Sequence, residues 1–174
     1  LICEQIGLSN TEFYEAICSF KGAAKRLELV GQNENSLFYK DFAHAPSKVE
    51  ATTRALEAQF PDRQLIACLE LHTFSSLNPA FLPQYEGTLA KADMAIVYLS
   101  EHARAIKRMD RIEESVIQEY FKHPNLLVIR DAEALRSEIL RHKKEDTNWL
   151  MMSSGTFDGL DLKALAAELG LLAV

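Results

Sequence analysis

Leu65-Ile66-Ala67-Cys68-Leu69 is the stretch whose reading decides the fold. It is apolar on both faces, and such a strand has to be covered from both sides, as in the middle of a parallel sheet. Toward the C-terminus, helix and strand signals then alternate. Asn78-Pro79, a cap followed by a proline in the first turn, predicts a helix to about Lys91. Met94–Leu99 is a second fully apolar strand, and a helix follows near Arg111 to Phe121. Leu126–Ile129 reads as a strand, Asp131 caps a helix to about His142, and Trp149–Met152 is the last strand. Leu162, Leu165, Ala166 and Leu169 trace one face of a closing helix behind Asp161. Toward the N-terminus, Val49, Thr53, Leu56 and Phe60 mark the buried face of a helix opened by a capping box at Ser47-Lys48-Val49-Glu50. Leu27–Val30 and Leu37–Tyr39 flank a turn at Gly31–Asn35 and predict a hairpin. Ser9 and Glu12 form a capping box for a first helix through Phe13, Ile17 and Phe20, which Gly22 can end. The alternation predicts an α/β fold with a mainly parallel sheet, helices on both faces and right-handed crossovers.

The bulk numbers set limits on function. A chain of 174 residues fits one domain that buries a core without staples. A formal charge of -6 argues against a nucleic-acid binder, which shows a basic patch or stripe. Cys3, Cys18 and Cys68 have no paired spacing and read as reduced thiols, which suits the cytoplasm. No apolar run reaches membrane-spanning length, so no membrane partner is expected. The first residue is Leu1 rather than Met, and the chain opens directly in apolar sequence, as a piece of a longer protein does. The charged stretch from Arg104 to Glu119 reads as a solvated face, and His102, His123 and His142 as surface residues.

Function is expected at Lys40-Asp41-Phe42-Ala43-His44-Ala45-Pro46-Ser47. These residues lie between a strand end and a helix start, where ligands sit in open α/β sheets. An acid, an aromatic ring and an imidazole are thereby placed near a substrate. Asp41 as a turn stabiliser and His44 as a surface histidine is the competing reading.

Asp41-Phe42-Ala43-His44-x-Pro also resembles the C-terminal domain of the Mur ligases, the ATP-dependent amide-forming enzymes of peptidoglycan assembly. The likeness continues in order along nearly the whole chain. Phe20-Lys21-Gly22 with Lys25-Arg26-Leu27-Glu28 is similar to the junction F-x-G-x-x-x-R-x-E between central and third domains. Glu70-Leu71-His72-Thr73-Phe74-Ser75 stands where members carry a Q-P-H-R or E-P-R type loop. Met152-Ser153-Ser154-Gly155-Thr156-Phe157-Asp158-Gly159 resembles the M-S-x-G-x-F-x-G pattern of the muropeptide ligase branch, which joins a recycled tripeptide to UDP-N-acetylmuramate. The branch that adds L-alanine resembles the chain over a similar length, but carries arginines near where Thr73 and Ser76 stand here, and the same loop does not reproduce the muropeptide branch's E-P-R-S-N run either. The resemblance implies a Rossmann-like, mainly parallel sheet with an N-terminal β-hairpin. It also implies that residues 1–20 are the tail of a central ATP-binding domain and residues 21–174 the C-terminal domain. The chain has no G-x-x-x-x-G-K-[ST] phosphate loop, so it is expected to act with missing N-terminal and central domains and to be inactive alone.

By the same resemblance, ATP and Mg²⁺ are the cofactors, held mainly by the other domains, and the partners are UDP-N-acetylmuramate and a peptide or amino-acid amine donor. Arg26, Asp41 and His44 are the implied nucleotide contacts. Phe42, His72, Ser154 and Gly155 are the implied contacts to the amine donor. No His/Cys/Asp/Glu set has metal-ligand spacing, and no residue of this chain is singled out as catalytic. A stand-alone, non-catalytic α/β binding module and a folylpolyglutamate synthase are the alternatives. The blocks at Asp41–Pro46 and Met152–Gly159 argue against the latter.

Overall fold

The computed structural model describes residues 2–19 and 26–174. Two short helices, α1 (Ile2–Gln5) and α2 (Asn10–Ile17), precede the sheet and bury none of their residues. The capping box forms as read: the Ser9 amide donates to the Glu12 carboxylate at 2.8 Å, and the Glu12 amide to Ser9 Oγ at 3.3 Å. Phe20, Gly22 and the junction residues up to Lys25 lie outside the described residues.

The chain then runs β1 (Glu28–Gln32), β2 (Leu37–Asp41), α3 (Pro46–Gln59), β3 (Gln64–Leu71), β4 (Met94–Leu99), α4 (Glu101–Lys107) and α5 (Glu114–Phe121). It continues β5 (Leu126–Ile129), α6 (Ala132–Arg141), β6 (Thr147–Met152), α7 (Leu162–Glu168) and β7 (Leu172–Ala173). The strands form one sheet in the order β5-β4-β3-β6-β2-β1-β7. Strands β5 to β2 in that order are parallel, while β1 is antiparallel to both β2 and β7. The expected hairpin is therefore β1–β2, on one flank of a parallel sheet.

The period-2 geometry of strands divides the core into two layers. Leu65, Ala67, Leu69 and Leu71 pack with Val49 and Leu56 of α3 and Ile117 and Phe121 of α5. Ile66 and Cys68 face the other way, toward Leu135 and Ile139 of α6 and Leu165 and Ala166 of α7. Helices thus cover both faces, as the doubly apolar β3 requires.

Several local expectations fail for identifiable reasons. No capping box forms at Ser47. Pro46 holds the first helical position and biases the residue before it toward extended backbone, so Ala45 (φ -80°, ψ 142°) becomes the N-cap without a side-chain bond. The helix expected from Asn78 to Lys91 is a 3₁₀ segment only over Pro79–Tyr85. Asn78 does cap it, but Pro83 inside it has no N–H to continue an α-helical ladder. The chain proceeds in i→i−3 turns through Ala92. The Arg104–Glu119 stretch is not simply a solvated face: Ile112 and Ile117 are buried, and the Arg130 guanidinium donates to the Ile112 carbonyl and, at 2.7 Å, to Glu101. Helix α4 and the short β7 were not foreseen.

Candidate functional site

Register aligns the ends of three adjacent strands. Asp41 of β2 pairs with Met152 of β6, and Met152 pairs with Leu69 of β3. The chain leaving each strand, toward His44, Ser154 and His72, therefore emerges at one edge of the sheet. Because β1 is antiparallel, with Glu28 opposite Lys40, Arg26 returns to that edge too.

In the loop after β2, Asp41 is committed to backbone donors. Its Oδ1 accepts from the Ala43 amide at 2.6 Å and its Oδ2 from the Leu27 amide at 2.7 Å. Leu27 has φ 44°, a left-handed conformation that residues with a Cβ seldom adopt, and the carboxylate helps hold it there. This latch places the exposed Arg26 immediately upstream. The turn-stabilising reading of Asp41 thus describes what its oxygens do. His44 Nδ1 lies 2.8 Å from the Phe42 carbonyl, which can only accept. The proton therefore sits on Nδ1, and Nε2 of the neutral ring is an acceptor. Tyr85 Oη donates to the His44 carbonyl at 2.6 Å, and burial pushes the Tyr85 phenol up to about 12. Phe42, nearly half exposed, packs edge-to-face on the His44 ring.

The loop after β6 is organised by two acids, Glu70 from β3 and the loop's own Asp158. Glu70, at the end of β3, is 1% exposed, and its Oε2 accepts from Ser153 Oγ and, at 2.9 Å, from the Phe157 amide. Its Oε1 faces His72 Nδ1 at 3.5 Å. Gly155 closes over this pair: a Cβ there would lie 2.7 Å from His72 Nδ1 and 2.9 Å from Glu70 Oε2, so only glycine fits without displacing them. Further along, Phe157 (φ 50°), Asp158 (φ 54°) and Gly159 (φ 88°) are all left-handed. Asp158 holds them through bonds from Tyr98 Oη at 2.7 Å and from Ser100 Oγ. Burial, then the Asp158 carboxylate, push the Tyr98 phenol well above its usual range.

A cavity of about 410 Å³ opens between the two loops, lined by Lys40, Phe42, Ser154, Thr156 and Lys163 among others. Ser154 Oγ is buried there without a hydrogen-bond partner. Lys40 pairs with Glu28 at 2.9 Å. Asp41, Phe42, Ser154 and Gly155 all line this cavity, whereas Arg26, His44 and His72 are not among its walls. Among the described residues no group of three or more His, Cys, Asp or Glu could hold a metal ion. Nor is any helix among them long and apolar enough to cross a membrane. Sequence reasoning quoted Lys40, Glu70 and Asp158 within its motif blocks but gave them no role, and it missed Lys163. For Glu70 one signal was available, a lone acid directly following five apolar residues of a buried strand.

The fold and this edge define an α/β domain with a cavity between two strand-end loops. The sequence profile of the "Mur ligase, glutamate ligase domain" family matches residues 25–155, and the chain belongs to that family. It is similar to the UDP-N-acetylmuramate–L-alanine ligase of Desulfitobacterium hafniense, with 30% identity over 55% of this chain and 21% of that protein. Among solved structures, a murein peptide ligase of Psychrobacter arcticus shares the fold with TM-score 0.67 and 23% identity, over 99% of this chain and 35% of that one. A domain of a putative UDP-N-acetylmuramate:L-alanyl-γ-D-glutamyl-meso-diaminopimelate ligase from Haemophilus ducreyi matches with TM-score 0.58 and 25% identity, over 83% of this chain and 99% of that one. The chain spans between 20% and 36% of the length of curated relatives it matches.

Proposed function

We propose that this chain is the C-terminal domain of an ATP-dependent peptidoglycan-precursor ligase, with residues 1–20 the tail of a central ATP-binding domain and residues 21–174 the domain itself. The reaction joins the carboxylate of UDP-N-acetylmuramate to a donor amine, and ATP supplies the phosphoryl group that activates that carboxylate as an acyl phosphate. The domain closes over the nucleotide, excludes water that would hydrolyse the activated acid, and presents the amine. Arg26, set by the Asp41–Leu27 latch, reaches phosphate or ribose oxygens with its planar fork. Each Asp41 oxygen keeps a second lone pair for a ribose hydroxyl, and His44 offers Nε2 as an acceptor. Mg²⁺ accompanies ATP and is held mainly by the other domains.

The donor in this reading is a tripeptide, and the cavity carries it. About 410 Å³ falls within the roughly 300–1,000 Å³ typical of sites for drug-sized ligands, more than a single alanine fills. Exposed Lys163 is suited to a peptide's carboxylate, and Phe42 to its stems. Thr73 and Ser76, by contrast, hydrogen-bond each other at 3.0 Å and offer no cation to a free amino acid. L-Alanine is the second reading, favoured by the names of the curated relatives.

Phosphate release by the full-length protein, given UDP-N-acetylmuramate and ATP with either donor, tests this. At least tenfold preference for the tripeptide is expected. Preference for alanine overturns the donor and leaves the ligase, while release with neither donor points to a non-catalytic module. The isolated chain is expected to ligate nothing. Two or three hydrogen bonds at about 1 kcal/mol each fall short of the roughly 4 kcal/mol of a millimolar site.

A further inference from the structure

Glu70 and His72 present an incomplete pair at the sheet edge. Among the described residues, Glu70 Oε2 accepts two hydrogen bonds, while Oε1 has only His72 Nδ1 before it, at 3.5 Å. His72 Nδ1 is itself buried and lacks a hydrogen bond. A carboxylate oxygen without a hydrogen bond and a buried ring nitrogen that face each other complete one another when Nδ1 carries the proton. The separation is longer than a hydrogen bond, as is common in unliganded catalytic pairs that tighten when substrate binds. Gly155 supports the same reading, since any Cβ there would push the ring off the carboxylate. The His72 side chain is one-third exposed although Nδ1 is buried, so its exposure falls on the rest of the ring, where Nε2 lies.

We infer that His72, which adjoins the cavity-lining Gly155 without itself lining the cavity, is the proton acceptor for a donor amine that projects past the cavity rim, and that Glu70 is its positioning residue, fixing the tautomer that leaves Nε2 free. The inference rests on the ligase reading. In the step, the amine nitrogen bonds to the acyl carbon and the carbon–oxygen bond to phosphate breaks. Phosphate departs with that electron pair, and the proton shed by nitrogen passes to Nε2. Ser153 and Phe157 bind the opposite oxygen of Glu70 and keep Oε1 turned to the ring.

The test uses the full-length protein with two nucleophiles. The tripeptide amine, protonated at pH 7, must lose one proton before attack and another after it; hydroxylamine, mostly neutral there, sheds a single proton to water from an acidic adduct as it traps the acyl phosphate as a hydroxamate. His72→Asn is expected to lower tripeptide turnover at least about 100-fold, the lower end of general-base contributions, while hydroxamate formation stays within about threefold. Glu70→Gln keeps an acceptor for the Phe157 amide and is expected to lower tripeptide kcat about tenfold, with KM for ATP and hydroxamate formation unchanged. Tripeptide turnover by His72→Asn within threefold of the native rate overturns the inference, and so does an equal loss with both nucleophiles. Failure of the native protein to form any hydroxamate from UDP-N-acetylmuramate and ATP overturns the ligase reading and this inference with it.

Discussion

The loops that follow β2 and β6 leave neighbouring strand ends, yet they are held in opposite ways. The first is mostly self-contained: Asp41 binds Ala43 and His44 binds Phe42, each two residues apart, and Leu27 is 14 residues away. The second is held from a distance. Glu70 reaches Ser153 and Phe157 across 83 and 87 residues, and Tyr98 and Ser100 reach Asp158 across 60 and 58. A loop stitched locally keeps its shape wherever its strand goes. A loop stitched from β3 and β4 takes its functional shape only after the sheet has assembled.

The contrast breaks first at Glu70. Glu70→Ala strands the Ser153 hydroxyl and the Phe157 amide in the core and leaves a void, so a stability loss of about 4 kcal/mol is expected in urea denaturation. A loss below about 1 kcal/mol would mean that the second loop holds itself.

Next comes Tyr85, whose hydroxyl ties the first loop to a segment 41 residues away. Its folded-state phenol is raised to about 12 from an ordinary 10, so the native state keeps a proton that the unfolded chain releases. That difference, about 2.7 kcal/mol, stabilises the fold below pH 10 and is lost as pH climbs from 10 to 12. Tyr85→Phe is expected to flatten the alkaline limb of a stability-versus-pH curve by about that much; an unchanged limb assigns alkaline unfolding elsewhere, Tyr98 first.

Asp41→Asn sets an amide NH₂ against one of the two backbone donors and is expected to cost about 1.5 kcal/mol. In the full-length protein it should raise KM for ATP several-fold, because Arg26 is released with Leu27. Wild-type KM would detach Arg26 from the latch. The smallest effect belongs to Ser47→Ala, expected within 0.5 kcal/mol of native since Ser47 caps nothing. The same measurement on Asp161→Ala, which removes a cap bonded to the Lys163 and Ala164 amides, is expected to show about 1 kcal/mol.

Legibility follows the same division. The caps at Ser9, Asp131 and Asp161, the hairpin and the apolar strands all depend on residues within a few positions of each other, and each was readable. Where local signals competed, as at Pro46 against Ser47 or Pro83 inside the expected helix, proline's missing N–H and fixed φ prevailed. His72 and Gly155 were singled out by resemblance, but nothing near Gly155 announced that it closes over the carboxylate two residues before His72.

By itself, then, the sequence determined most of the elements, α4 and β7 excepted, and the loop that carries Asp41 and His44, because periodicity and capping act between near neighbours. Only the tertiary structure decided that β6 inserts between β3 and β2, which brings Glu70 to Ser153 and Phe157. Strand order is a collective outcome of burying both faces of one sheet, and no short stretch of this chain encodes it.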